Sequence, residues 1–221
     1  MHATNDRWIQ KLWDWADQND IPDLEWVQHD SYLKSGYFRG LPRDKDKLLK
    51  LGTLNLLGSQ LTHLPAEISN LIHLKKLHLL GNRLTELPSE IAGLVNLEEL
   101  YLAGNQLASL PKEIGKLQNL KLLLIQENKI TVIPKEIGEL LNLSTLELGG
   151  NQLTSLPKEI GKLKNLTKLT LWKNKLTALP KEMNTLSKLR ELDCLYNKLE
   201  LTQENVQWLD SLINNNCDVC I

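Results

Sequence analysis

Two cysteines near the end of the chain have a spacing that could bind a metal ion or support thiol redox chemistry. Two residues separate Cys217 from Cys220, a spacing found in zinc-binding and redox-active thiol pairs. A structural zinc site needs four ligands, usually from two such pairs, and a redox pair opens a helix in a β-α-β unit. The sequence offers neither context, so we interpret the two thiols as incidental residues of a tail. Cys194 replaces a repeated leucine, which predicts a small core residue.

No other arrangement of reactive side chains indicates catalysis. The five histidines show no metal-ligand spacing, and the sequence contains no Gly-rich phosphate loop, nucleophile elbow or HExxH motif. We therefore predict a protein that is not an enzyme and holds no metal or cofactor. Lysine and arginine number 26 against 27 acidic residues, for a net charge of −1, which favours no nucleic-acid partner.

The hydropathy pattern bears on location. The first residues contain no apolar segment typical of a signal peptide, and the densest apolar run, residues 120–125, is too short to span a bilayer. These features predict a cytoplasmic protein without membrane insertion, although they leave secretion by a signal-less route open. We expect a monomer.

A repeat of 23 residues predicts the strands and return arms that would position any functional side chain. Leucines two residues apart, such as Leu100 and Leu102, predict a strand with one buried face. A proline later in each unit ends strand pairing and predicts an irregular or short helical return arm. Stacked units would bury the leucines in one continuous core, with an asparagine pairing the backbone groups of each turn. These asparagines are Asn82, Asn105, Asn128, Asn151, Asn174 and Asn197.

One unit, residues 97–119, reads LEELYLAGNQLASLPKEIGKLQN and resembles the leucine-rich-repeat family in its 23-residue form, LxxLxLxxNxLxxLPxxIxxLxN. That form is similar to repeats of many bacterial proteins and of Ras-pathway scaffolds. The resemblance covers residues 51–199. It implies an α/β fold, a curved, right-handed solenoid with a parallel concave β-sheet, here of seven strands, and helical caps at both ends.

Both flanks are predicted to cap the open ends of the solenoid. Residues 1–50 combine an apolar helical stripe with a degenerate repeat, and four of the six tryptophans precede residue 27. A separate Trp-rich ligand-binding module is the alternative, but about 48 residues rarely fold alone. Residues 200–221 predict a helix that begins after Thr202. The N-terminal stripe comprises Trp8, Ile9, Leu12, Trp13 and Ala16. The C-terminal one comprises Val206, Leu209, Leu212 and Ile213, with Trp208 on that face or at its edge.

Positions that differ between repeats face outward from the strands and form the candidate recognition surface. The Lys-Glu pairs of the return arm recur identically and indicate only a solvated face. Apolar and aromatic residues gather on the concave side, where Gly149 leaves room for the indole of Trp172. The predicted partner-binding residues are His78, Leu80, Tyr101, Leu122, Leu124, Trp172, Leu195 and Tyr196. The predicted rim consists of Lys76, Glu99, Glu147, Lys168, Glu191 and Asp193.

An exposed apolar cluster that contains Tyr and Trp is typical of a protein-binding site. We therefore predict a non-catalytic interaction module with a protein partner on its concave face. One alternative is that the leucines merely strengthen the sheet. Others are an effector delivered to a host protein, a substrate-recruiting subunit of an enzyme complex, and a carbohydrate or small-ligand receptor, which would favour more aromatic and amide side chains.

Overall fold

A parallel sheet of short strands forms the concave side of the protein. The computed structural model describes residues 6–27 and 37–221, and over these ranges the sheet has eight strands. Each repeat strand pairs with the strand 23 residues further along the chain, so that Leu77 lies opposite Leu100. The seven repeat strands are Thr53–Asn55 (β3), Lys76–His78 (β4), Glu99–Tyr101 (β5), Leu122–Leu124 (β6), Thr145–Glu147 (β7), Lys168–Thr170 (β8) and Glu191–Asp193 (β9).

The leucines of the repeat form one continuous core between the sheet and the convex side. Leu100 and Leu102 are fully buried, as the alternating pattern predicts. Each return arm contains a 3-10 helix that begins directly after a proline in extended conformation, because proline stops the strand and fixes its own φ near −65°. These helices are Ala66–Asn70, Ser89–Gly93, Lys112–Lys116, Lys135–Glu139, Lys158–Lys162 and Lys181–Thr185.

A buried asparagine ladder holds the turn that follows each strand. The side-chain amide of Asn128 donates to the carbonyl oxygens of Leu102 and Ile125 at 3.0 and 3.1 Å, while its Oδ1 accepts from the Leu107 N–H at 3.0 Å. One side chain therefore joins two consecutive repeats and leaves none of its buried polar atoms unpaired. The same bonds recur at Asn82, Asn105, Asn151, Asn174 and Asn197.

A second asparagine ladder, which was not predicted, runs along the exposed side of the return arms. The Asn119 amide donates to the Val95 carbonyl at 2.8 Å, and the Asn142 amide donates to the Gln118 carbonyl at 2.8 Å. Each bond spans 24 residues and joins neighbouring repeats. The last asparagine of the LPxxIxxLxN motif carries this signal in the sequence.

The N-terminal segment covers the first repeat with a helix, Arg7–Gln18 (α1), that packs against the first 3-10 helix. Ile9, Leu12, Trp15 and Ala16 are buried. The predicted stripe omitted Trp15 and included Trp8 and Trp13, which are only partly buried. Trp13 is placed at the edge of the core by its indole N–H, which donates to the Pro42 carbonyl at 2.9 Å.

A two-stranded hairpin, Glu25–Val27 (β1) and Tyr37–Arg39 (β2), follows and lies beside the first repeat strand. Gly40 makes an antiparallel bridge to Asn55, which pairs part of the open edge of β3. Where later repeats have a 3-10 helix, this segment has a short α-helix, Lys45–Leu49 (α2). The parts of the predicted cap at residues 1–5 and 28–36 lie outside the described residues.

The C-terminal helix, Gln203–Asn214 (α3), begins at Thr202, whose hydroxyl accepts from the Asn205 N–H at 3.1 Å. The predicted apolar face was partly wrong, because Val206 and Ile213 are exposed. Trp208, which the sequence places on that face or at its edge, is buried with Leu209 and Leu212. The buried residues of the helix are Asn205, Trp208, Leu209 and Leu212.

The residues after this helix form the eighth strand, Asp218–Cys220 (β10), where the sequence indicated only a tail. The Cys194 N–H donates to the Cys220 carbonyl at 2.7 Å, and Cys217 is buried. Strand β10 pairs the edge of β9, which would otherwise expose a row of unpaired backbone groups. The two cysteines are thus part of the fold's C-terminal end.

We predict that Asn128→Ala lowers the free energy of unfolding by about 1–3 kcal/mol, because it leaves buried backbone groups of two repeats unpaired. Asn119→Ala is the matched control, since it removes one exposed bond of the second ladder and should cost at most about 1 kcal/mol. Urea denaturation of both variants measures the difference. Equal losses of stability would show that the buried ladder does not hold the turns.

Candidate protein-interaction surface

The strand register brings the predicted binding residues onto one concave face. His78, Tyr101 and Leu124 lie opposite one another on three adjacent strands, as do Lys76, Glu99 and Leu122. Backbone bonding continues past the strands, for example from the Gly81 N–H to the Ala103 carbonyl at 2.9 Å, so the residues that follow each strand form a third row. Leu80, Ala103, Gln126, Gly149, Trp172 and Leu195 belong to this row.

An apolar patch occupies the half of this face nearer the N-terminus. We use this name for His78, Leu80, Tyr101, Leu122 and Leu124, all of which are half-buried. The imidazole of His78 stacks on the Tyr101 ring, with ring centroids 4.2 Å apart and planes 9° from parallel. The stack presents a flat, partly exposed surface beside three leucines.

Polar bonds fix the tyrosine of the apolar patch. Its hydroxyl donates to the Glu99 carboxylate at 2.6 Å, and Glu99 in turn pairs with the Lys76 ammonium at 2.9 Å. Because both rings stand on a paired sheet and one is hydrogen-bonded, they lose little conformational freedom on binding. This chain joins two predicted rim residues to the patch.

The electrostatics of the patch keep its aromatic groups neutral. Burial lowers the pKa of His78, and nearby Lys76 lowers it further, while the Glu99 carboxylate partly opposes both. Burial and the bond to Glu99 raise the pKa of Tyr101, so the phenol remains a donor. Burial acts to raise the pKa of Glu99, but the bonds from Tyr101 and Lys76 outweigh it and the pKa is lowered.

Trp172 covers Gly149 on the other half of the face. A Cβ atom at Gly149 would overlap the Nε1, Cε2 and Cδ1 atoms of the indole, so only glycine admits the ring here. The indole also reaches Gly150, where a Cβ would lie 3.2 Å from its Cη2 atom. The side chain is half-buried and therefore keeps part of the indole accessible.

Charged residues occupy the strands that precede Trp172 and its neighbours, with Glu147 and Asp193 opposite Thr170 in the register. Lys168 pairs with Glu147 at 3.1 Å and with Glu191 at 3.0 Å, and these bonds, led by Glu191, raise its pKa. Asp193 accepts from the Leu195 N–H at 3.0 Å through one carboxylate oxygen. Three carboxylates therefore face one ammonium group, for a net charge of −2. We call Glu147, Lys168, Trp172, Glu191 and Asp193 the acidic patch.

Leu195 and Tyr196 lie at the far end of the face, just after the last repeat strand. They do not join the apolar patch, which stands on strands β4–β6. Tyr196 is 79 % exposed and has a left-handed backbone with φ of 59°, at the position where four other repeats have glycine. Its ring is the most accessible one on the face.

Two polar residues of the face were not predicted. Thr170 and Gln126 each carry a buried side-chain oxygen that has no hydrogen-bond partner within the part of the chain that the structure describes. Both lie in the rows that carry Glu147 and Trp172, so their position in the repeat is the signal that could have found them. Both oxygens lie below the accessible surface next to the acidic patch.

Comparison with known proteins identifies the repeat. A family profile described as a leucine-rich repeat region matches residues 94–216, and one described as leucine-rich repeats in two copies matches residues 72–113. The chain belongs to the leucine-rich-repeat family. No curated protein matches it. Leucine-rich-repeat domains generally mediate protein–protein interactions, and the fold is typically a non-catalytic scaffold.

Solved structures share the fold. A leucine-rich-repeat protein of Leptospira interrogans is 39 % identical with a TM-score of 0.73, and the match covers 80 % of this chain and 44 % of that one. The ectodomain of an Arabidopsis thaliana membrane receptor kinase, solved in complex with Casparian strip integrity factor 2, is 33 % identical with a TM-score of 0.66. That match covers 71 % of this chain and 20 % of the receptor chain. This chain thus spans less than half of either protein.

A Listeria monocytogenes internalin, 22 % identical, shares the fold alone, with a TM-score of 0.64 over 78 % of this chain and 55 % of that one. The Leptospira structure favours a bacterial origin for this leucine-rich-repeat chain. In residues 6–27 and 37–221, no helix is long and apolar enough to cross a membrane, and no group of His, Cys, Asp and Glu is arranged to hold a metal ion.

We predict that the imidazole of His78 titrates below about 6.5, its ordinary pKa, because burial penalises the charged form. Glu99→Gln should lower this pKa further, since the Glu99 charge favours the imidazolium. The unfolded chain binds the proton more readily, so the contribution of His78 to stability is lost as pH falls from about 6.5 through the lower folded value. NMR titration of the His78 ring measures both values, and an ordinary pKa would contradict its burial.

Proposed function

We propose that the chain is a non-catalytic interaction module that binds a segment of a partner protein across its concave face. The observation that carries the proposal is the His78–Tyr101 stack among half-buried leucines, held on a rigid sheet by the Tyr101–Glu99–Lys76 chain. Aromatic residues that are fixed before binding dominate the energy of many protein interfaces. The surrounding charged residues supply the polar rim that such interfaces have.

The two halves of the face favour two features of the partner segment. The apolar patch would accept an apolar side chain, because the stack and the leucines offer adjoining apolar surface. The acidic patch would accept a lysine or arginine, since the indole of Trp172 attracts cations and the net charge around it is negative. A segment that crosses the strands from β4 to β8 spans about 19 Å, at about 4.8 Å per strand.

The ionisation of the cysteines supports a non-catalytic role. Burial, with help from Asp193, raises the pKa of Cys194 to about 12, so its thiol is protonated at neutral pH. Burial also raises the pKa values of Cys217 and Cys220. A protonated thiol is a weak nucleophile, which argues against acyl transfer or thiol exchange at these residues.

The related Arabidopsis ectodomain supports the proposal by example, because it was solved with a bound factor. The bound factor is a partner of that receptor and does not identify the partner of this chain. An ectodomain of the same fold, 33 % identical to this chain, thus forms a complex.

We predict that Tyr101→Ala combined with Trp172→Ala weakens partner binding by at least about 2 kcal/mol, because both aromatic anchors are lost. Neither residue lies in the leucine core, so the melting temperature should change little. Lys135→Ala with Glu159→Ala on the convex side is the control and should retain binding. Affinity capture from the source organism, quantified for each immobilised variant, measures the effect. Loss of capture in the convex variant alone would mean that the other face binds.

We further predict that Glu147→Gln combined with Asp193→Asn weakens binding and flattens its dependence on salt, because the partner's basic residue loses its counter-charges. The substitutions keep the size of each side chain, and an asparagine at 193 can still accept from the Leu195 N–H. Titration of the captured partner at two ionic strengths measures the change. An unchanged salt dependence would show that the acidic patch takes no part in binding.

A further inference from the structure

A polar cavity lies between the N-terminal segment and the first repeat, apart from the apolar and acidic patches. It has a volume of about 320 Å³, enough for a small ligand, and its lining comes from three separate turns. Asn19 and Asp20 follow helix α1, Arg39 ends strand β2, and the third turn follows strand β3. The residues of that third turn are Gly58, Ser59 and Gln60.

Ser59 stands where every later repeat has the asparagine of the buried ladder. Its turn does not depend on the serine side chain, because the Leu61 N–H donates to Asn82 of the next repeat at 3.0 Å. The Ser59 Oγ atom is buried and, among the described residues, has no hydrogen-bond partner. Because Ser59 lines the cavity, rotation of its side chain would bring this hydroxyl to a ligand there.

Arg39 offers the cavity a second unpaired group. Its Nε atom is buried without a hydrogen-bond partner, so a ligand would approach the guanidinium through its terminal nitrogens. Within residues 6–27 and 37–221, no salt bridge involves Arg39. Leaving a buried charged donor unpaired is costly, so the site gains stability from any acceptor that reaches it. The planar guanidinium suits a carboxylate, which can accept two parallel bonds from it.

The remaining lining groups favour a positive charge beside that carboxylate. The exposed carboxylate of Asp20 lines the same cavity without pairing with Arg39. The Asn19 amide nitrogen already donates to the Trp15 carbonyl at 2.8 Å, which leaves its oxygen as an acceptor. One guanidinium and one carboxylate give a lining of zero net charge, which disfavours a dianion such as phosphate.

We propose that this cavity binds a small zwitterion of the amino-acid type. Its carboxylate accepts from the Arg39 guanidinium and the Ser59 hydroxyl, and its ammonium group donates to Asp20 and the Asn19 side-chain oxygen. The ligand would connect the N-terminal segment to the first repeat, because Asn19, Asp20 and Arg39 belong to one and Ser59 to the other. Because the ligand would bind the folded state and not the unfolded state, it would also raise the melting temperature of the chain.

The test is an NMR titration of the whole folded chain with glycine, and in parallel with acetate, methylammonium and inorganic phosphate. We expect glycine to shift the amide resonances of Ser59 and Gln60 at lower concentration than any of the other three. Arg39→Gln should weaken glycine binding by about tenfold or more, the usual effect of losing a hydrogen bond to a charged group. Arg83→Gln, at an exposed arginine outside the cavity, is the matched control and should bind like the unaltered chain.

Asp20→Asn separates a zwitterion site from a simple anion site. Asparagine tolerates the left-handed backbone of residue 20, whose φ is 52°, so this variant should fold even if Arg39→Gln does not. We expect it to weaken glycine binding and leave acetate binding unchanged or improved. The proposal is overturned if glycine causes no shifts at the cavity, if acetate or phosphate binds as well as glycine, or if Asp20→Asn leaves glycine binding intact.

Discussion

A strand with one apolar face buries that face only against other strands and their return arms, and the architecture of this protein depends on this constraint. Leu100 and Leu102 are fully buried because neighbouring units supply the rest of their surroundings. The asparagine ladder then pairs the backbone at each turn and bonds one repeat to the next, as Asn128 does with Leu102. Core and ladder together keep consecutive strands in a fixed register.

The same constraint makes the two ends of the solenoid different from its middle. At the N-terminus, helix α1 covers the first layer and Gly40 pairs with Asn55 at the sheet edge. At the C-terminus, helix α3 buries Trp208 and strand β10 pairs with β9. Each end is built from elements that lack the repeat pattern, so each can carry polar groups that the repeats have no place for. The cavity beside Ser59 and Arg39 arises at such a junction.

Periodicity predicts the strands, the buried leucines and the convex arms because the same residue types recur at the same positions from repeat to repeat. The flanks were harder to predict, since each of their features occurs once. The buried face of helix α3 includes Trp208 but not Val206 or Ile213, because it depends on how the helix is rotated against the last repeat, which the sequence alone does not decide. Strand β10 was missed because its three residues lie outside the repeat, so no other copy supports so short a pattern. Of the candidate site, register predicts which residues share a face, but the stacking of His78 on Tyr101 depends on side-chain conformation.

The residue before each ladder asparagine is glycine in some repeats and a larger residue in others. The backbone there is left-handed in every repeat, with φ between 51° and 67°, and glycine adopts it most easily. Three repeats instead have Glu127, Lys173 and Tyr196, and these directly follow the concave residues Gln126, Trp172 and Leu195. Gly150 lies between them and keeps glycine, since a Cβ there would crowd the indole of Trp172. A side chain in this conformation costs stability, on the order of 1 kcal/mol, and the fold does not require it. Three turns beside the concave face therefore carry side chains at a position where the framework favours glycine, and the packing of the core does not require them.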